Sequence, residues 1–126
     1  MILLDTNALL WVLGDNPRLG DGARDLIRAA ASHYSAVSVV ETSIKTAMGK
    51  LAVDGSVSNG AAAAGLRELP LTSEHAEAIV SFPELARHDP FDRMLLAQAR
   101  TEGMRLLTSD RSLLAAAPEL TIDARE

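Results

Sequence analysis

Four acidic residues, Asp5, Glu41, Asp92 and Asp110, each stand where a short apolar run ends or a helix begins. Asp5 follows Ile2-Leu3-Leu4, Glu41 follows Val37-Ser38-Val39-Val40, Asp92 lies in His88-Asp89-Pro90-Phe91-Asp92-Arg93, and Asp110 follows Leu106-Leu107-Thr108-Ser109. In a parallel α/β sheet, residues just past the carboxyl ends of neighbouring strands converge on one crevice, so acids distant in sequence can meet there. Carboxylates gathered in one crevice repel one another unless a cation holds them, and a divalent metal is the usual one. Oxygen-only ligands select a hard ion, Mg²⁺ or Mn²⁺, over zinc.

Each acid also has a plainer role. Asp5 and Asp110 can cap the helices that follow them. Glu41 has Lys45 four residues later, the favourable order for a helical ion pair. Asp89 suits a helix cap and Pro90 the first helical position, which puts Asp92 in the first turn, where the helix dipole favours negative charge. Because Asp89 satisfies the cap, Asp92 is left free to face a ligand. The shared location of all four is what favours a single site.

The elements that would carry these acids can be read from periodicity. Met1 to Leu4 reads as a buried strand, Thr6 to Leu13 as a helix, Ala23 to Ala30 as a second helix and Tyr34 to Val37 as a second strand. A third helix is expected from Val39 to Met48, with Ile44, Ala47 and Met48 on its apolar side. An alanine-rich helix follows around Ala61 to Leu66, then an edge strand over Leu69-Pro70-Leu71 and a helix from Ser73, its expected cap, to Val80. A loop over Pro83 to Pro90 leads into a helix from Phe91 to Glu102, stopped by Gly103. Arg105 to Thr108 is a strand, Arg111 to Ala116 a short helix and Leu120 to Ile122 a last strand. Alternating strands and helices imply one α/β domain over residues 1–126, its mostly parallel sheet flanked by helices.

Composition narrows the chemistry. The 126-residue chain has no cysteine, which excludes disulfides, thiolate zinc sites and cysteine nucleophiles together. His33, His75 and His88 show no metal-ligand spacing, Ser35, Ser38 and Ser109 lack a His/Asp relay, and no glycine-rich phosphate loop is present. Asp5 interrupts the first apolar run, so no secretory signal is expected and the localisation reads as cytoplasmic, with no membrane segment. The net charge of −5 argues against a dedicated nucleic-acid binder, an objection that metal ions held by the acids would soften.

Leu3-Leu4-Asp5-Thr6-Asn7, the Glu41 helix running to Met48-Gly49-Lys50-Leu51, Asp89-Pro90-Phe91-Asp92-Arg93 and Thr108-Ser109-Asp110 together resemble the PIN-domain ribonucleases, and among them the VapC toxins of bacterial toxin-antitoxin modules. The resemblance covers essentially the whole chain. It departs at Val39-Val40, where relatives often carry an aromatic. It implies a three-layer sandwich around a five-stranded sheet and a metal-dependent endoribonuclease of a type II toxin-antitoxin module. Asp5, Asp92 and Asp110 would hold Mg²⁺ or Mn²⁺, Glu41 would orient or deprotonate the attacking water, and Thr6, Thr108 and Ser109 would hold the carboxylates from behind. Lys45, Lys50, Arg93 and Arg111 are candidates for RNA-backbone contacts. The implied partners are an RNA substrate, a VapB-like antitoxin and a second copy of the chain. Two other readings stand beside it: a haloacid-dehalogenase-like phosphatase, which needs a second acid where Asn7 stands, and a non-catalytic binding module on the same fold.

Overall fold

The computed structural model describes residues 1–82 and 89–126; the part of the expected Pro83 to Pro90 loop before Asp89, His88 included, lies outside them. Five strands, β1 (Ile2–Leu4), β2 (Ser32–Ser35), β3 (Arg67–Leu69), β4 (Arg105–Thr108) and β5 (Thr121–Asp123), form one sheet in the order β3-β2-β1-β4-β5, with every pairing parallel. Seven α-helices connect them among the described residues: α1 (Thr6–Leu13), α2 (Asp21–Ala29), α3 (Ala36–Ala47), α4 (Val57–Ala63), α5 (Ser73–Glu77), α6 (Pro90–Glu102) and α7 (Arg111–Ala116).

Strand periodicity divides the core in two. Leu3 and Leu106 face one side of the sheet and pack with Val37, Leu95, Leu96 and Leu113. Ile2, Leu4 and Leu107 face the other, against Ala8, Leu9, Ala23 and Ala61. Both faces are therefore covered by helices, as an all-parallel sheet requires, and the α/β sandwich implied by the sequence is the one observed. Helix α3 belongs to both layers, since Val37 packs on the first and Val39 on the second. No described helix is long and apolar enough to cross a membrane.

Several boundaries differ from the sequence reading. Strand β2 runs from Ser32 to Ser35 instead of Tyr34 to Val37, because the Ser35 hydroxyl accepts from Val37 N at 3.0 Å and starts α3 there. Strand β3 ends at Leu69, before Pro70, whose missing N–H cannot serve a ladder. Helix α4 begins at Val57 and is over by Gly65, which takes a positive φ of 85°. Thr72, not Ser73, caps α5, and the helix gives way to a 3₁₀ turn over Ala78–Ser81. Strand β5 is displaced by one residue. Helix α6 follows its signals closely: Asp89 accepts from Phe91 N at 2.8 Å, Pro90 opens the first turn and Gly103 closes the helix in the left-handed region.

A buried polar network fixes α6 against the sheet and α3. Gln98 of α6 accepts from the Ser35 hydroxyl at 2.5 Å and donates to Pro70 O at 3.3 Å, 3.4 Å from His75 Nδ1. His75 Nδ1 accepts from Thr72 N, which makes Nε2 the protonated nitrogen that faces Glu102 Oε2 at 3.1 Å. Among the histidines, His75 is thus a core residue with its ring nitrogens engaged.

Candidate active site

The chain runs outward from β1 through β2 to β3, then returns to place β4 on the other side of β1. That reversal leaves a crevice beyond the carboxyl ends of β1 and β4, where α/β sheets bind ligands. Asp5 leaves β1 and Asp110 follows β4, so the two flank it. Helices α3 and α6 bring Glu41 and Asp92 to the same place. A pocket of about 140 Å³ is lined by Asp5, Thr6, Asn7, Glu41, Lys45, Asp89, Asp92 and Asp110.

The plainer roles and the shared site turn out to coexist. Asp5 Oδ1 caps α1 by accepting from Ala8 N at 2.8 Å, which leaves Oδ2 for Thr108 Oγ1, a donor at 2.5 Å. Thr108 Oγ1 also accepts from Asp110 N at 3.0 Å, tying the ends of β1 and β4 together. Asp110 Oδ1 caps α7 through Ser112 N and Leu113 N at 2.8 and 3.2 Å. Glu41 is held on both oxygens: Thr6 Oγ1 donates to Oε1 at 2.7 Å and Lys45 Nζ to Oε2 at 2.6 Å. Ser38 Oγ lies 3.0 Å from Thr6 Oγ1 and completes the support.

The electrostatics are unbalanced. Burial, against the opposing hydrogen bonds from Thr108 and Ala8, pushes the Asp5 carboxyl up to about 6, with Asp110 and Glu41 adding to the rise. Asp92 is pushed up to about 7, first by burial and then by Asp89, Asp5, Asp110 and Glu41. The hydrogen bond to Glu41 holds the Lys45 ammonium above its ordinary range, and Asp89 and Asp92 reinforce it. Lys45 is the single cation among the described residues lining the pocket.

Among the described residues, no three His, Cys, Asp or Glu side chains stand grouped closely enough to hold an ion. Asp5, Glu41 and Asp110 Oδ1 are turned instead to caps, hydroxyls and Lys45. The donor chemistry nevertheless suits a hard divalent cation: every available ligand is an oxygen, and burial, with neighbouring acids adding to it, makes the charged forms of Asp5 and Asp92 costly until a cation offsets them.

Of the residues singled out in the sequence, Asp5, Glu41, Asp92, Asp110, Thr6 and Lys45 line the pocket and Thr108 supports it from behind. Ser109, Lys50, Arg93 and Arg111 do not line it. Ser38, Asn7 and Asp89 belong to the site but were not singled out for it. Ser38 could have been found from its spacing, three residues before Glu41 and hence on the same helix face. The expected apolar side of α3 is corrected: the buried residues are Val37, Ser38, Glu41 and Thr42, while Ile44 and Met48 are exposed. The helix turns its polar face inward because that face supplies the pocket.

The PIN domain family model matches residues 2–119. The fold is shared with a toxin-antitoxin complex from Klebsiella pneumoniae (TM-score 0.69, 16% identity, 98% of each chain covered). It is shared also with VapBC2 from Rickettsia felis bound to a DNA fragment from its promoter (TM-score 0.67, 14% identity, 98% of each chain). FitAcB from Neisseria gonorrhoeae is similar as well (TM-score 0.65, 21% identity, 98% of each chain). No match is found among curated protein sequences.

Proposed function

The chain belongs to the PIN domain family, and we propose that it is a cytoplasmic metal-dependent endoribonuclease, the toxin of a type II toxin-antitoxin pair. The observation that carries the proposal is the convergence of Asp5, Glu41, Asp92 and Asp110 on one small pocket at the strand-order reversal. Asp5, Asp92 and Asp110 would hold Mg²⁺ or Mn²⁺. When bound, the ion supplies Lewis-acid polarisation of the scissile phosphate and offsets the charge that develops on it.

The protein's own contribution is orientation. Glu41, clamped by Thr6 and Lys45, would present its carboxylate to a water and accept its proton as that water adds to phosphorus and the bridging P–O bond breaks, the departing ribose oxygen taking a proton from solvent. Thr108 keeps Asp5 and the start of α7 in register, so the carboxylates on the two strand ends move as one unit. Asn7 supplies an amide where a haloacid-dehalogenase-type phosphatase would need its second acid, which disfavours that alternative.

The toxin-antitoxin context of the structural neighbours supports an antitoxin as the cellular partner. Val40 and Ile44 on α3 and Met48 at its C-terminal cap, spaced four residues apart, are 50%, 45% and 58% exposed. Such an apolar stripe supports pairing with a second copy of the chain.

The test is cleavage of a panel of cellular RNAs by wild-type protein and Asp5→Asn in Mg²⁺, Mn²⁺ or EDTA. We expect cutting by wild type in either metal and loss of at least about a hundredfold in EDTA or in the variant. Equal cleavage by the variant would overturn the assignment. No cleavage under any condition would favour a binding module that keeps the fold.

A further inference from the structure

We propose that Lys45 is a resident counter-ion that reserves Glu41 for the attacking water and confines metal binding to a single ion on the Asp5, Asp92 and Asp110 side of the pocket. The inference rests on the nuclease reading and adds a positioning residue and a metal stoichiometry to it. Lys45 Nζ lies 2.6 Å from Glu41 Oε2, and Thr6 Oγ1 lies 2.7 Å from Oε1. Each Glu41 oxygen keeps a second lone pair, enough to accept from a water, but a divalent ion taking that place would sit beside the Lys45 ammonium and be repelled by it. Glu41 is buried, whereas the Lys45 side chain is 46% exposed, so the lysine reaches in from the rim and closes one end of the pocket.

The i, i+4 spacing on α3 makes this placement stiff. Both residues rise from consecutive turns of one helix, and the helix start is fixed by the Ser35 cap. A surface salt bridge of this spacing would contribute little to stability. Here one partner is buried among further carboxylates, and the same cation shares the pocket lining with Asp89 and Asp92. An ammonium fixed in this position does two opposed things: it orients Glu41, and it repels any divalent ion approaching Glu41. Removing the positive charge should therefore tighten metal binding while slowing the reaction. A merely structural lysine would move neither quantity, or would weaken both together.

The experiment is calorimetric titration of metal-free protein with Mn²⁺, for wild type, Lys45→Met and Lys45→Arg, paired with single-turnover RNA cleavage at saturating Mn²⁺. Wild type should bind one ion per chain. Lys45→Met should bind Mn²⁺ about tenfold more tightly or take up a second ion, because a fixed positive charge beside the pocket has gone, and should cleave at least about tenfold more slowly, its Glu41 no longer held. Lys45→Arg, which keeps the charge, should stay within about threefold of wild type in affinity. Lys45→Gln repeats the neutral arm should the methionine variant aggregate. Unchanged stoichiometry and affinity in the neutral variants would overturn the inference and leave the nuclease reading intact, as would two ions in wild type. A wild type that binds no Mn²⁺ would sink both.

Discussion

Helices α3 and α6 are joined by two polar networks that lie close together and obey opposite rules. In the first, Ser35, Gln98 and His75 are buried, and their side chains hydrogen-bond to one another or to backbone groups. In the second, Asp5 and Glu41 are just as buried, yet the carboxylates around them outnumber the one lysine among the described lining residues. A polar group in the interior costs little when its partners are complete and a great deal when charge is left over. The first network is what a protein builds to hold two helices together. The second is destabilising unless a cation arrives, which is the imbalance that the proposed metal site would relieve.

The largest expected effects come from breaking one network at a time. Asp92→Asn should lower metal-dependent cleavage by at least about a hundredfold without loss of thermal stability, since it removes a charge that the fold opposes. Asp89→Asn should keep most of the activity, because asparagine caps α6 as well as aspartate does. Gln98→Leu should do the reverse of Asp92→Asn. With the Ser35 hydroxyl and Pro70 carbonyl left unpaired it should lose roughly 2 kcal/mol, seen as a melt lower by about 4–8 °C, while the folded fraction still cuts RNA. Cleavage assays and melts on the three variants suffice. Strong activity loss in Gln98→Leu with an unchanged melting temperature would contradict the division.

A smaller effect follows from protonation. Asp5 is raised to about 6 and Asp92 to about 7 from an ordinary value of 3.8, so between about pH 4 and 7 the native protein retains protons that the unfolded chain has released. Stability of the metal-free protein must then fall as pH rises through that window, the contribution being whole below about 4 and gone above about 7. For the buried Asp5 the loss is on the order of 2–3 kcal/mol; the half-buried Asp92 adds less than its shift suggests, since water screens it. Melts in metal-free buffer from pH 4.5 to 8 should show the decline, and Asp5→Asn should flatten it. A wild type that grows more stable across this range would refute the charge imbalance.

How much of this was written in the sequence depends on the kind of signal. The acids were legible because each sits beside a strand end or a helix cap, and those local signals also fix the backbone that aims them. Helix α6 was legible to within one residue, starting at Pro90 instead of Phe91, since Asp89, Pro90 and Gly103 act within a turn of their own positions. Helix α3 was not. Its apolar pattern at Ile44 and Met48 points to solvent, and its inward face carries Ser38, Glu41 and Thr42, so periodicity assigned the wrong side. Hydrophobicity fails as a guide where a helix buries chemistry instead of apolar surface. The Ser35–Gln98–His75 network was equally hidden, because its members lie on different elements and only the tertiary fold brings them together.

The finest test of the contrast is Asp110→Asn, whose expected effect is small and changes sign. Asp110 Oδ1 accepts from Ser112 N and Leu113 N, and an asparagine oxygen in the same place can keep both bonds, so the cap on α7 should change by only a few tenths of a kcal/mol. If Asp110 were only a cap, the variant would melt within about a degree or two of wild type with or without metal. Its charge, however, is among those that raise the Asp5 and Asp92 carboxyls, so neutralising it removes repulsion that folding must overcome. In EDTA the variant should therefore melt slightly higher than wild type. In Mn²⁺ the order should reverse, because an ion that binds only the folded state adds about 2.7 kcal/mol at a hundredfold excess over its Kd, and the variant lacks one of the ligands. Because the two effects oppose each other, the ranking matters more than either shift, and an identical ranking in EDTA and in Mn²⁺ would show that Asp110 takes no part in a shared metal site.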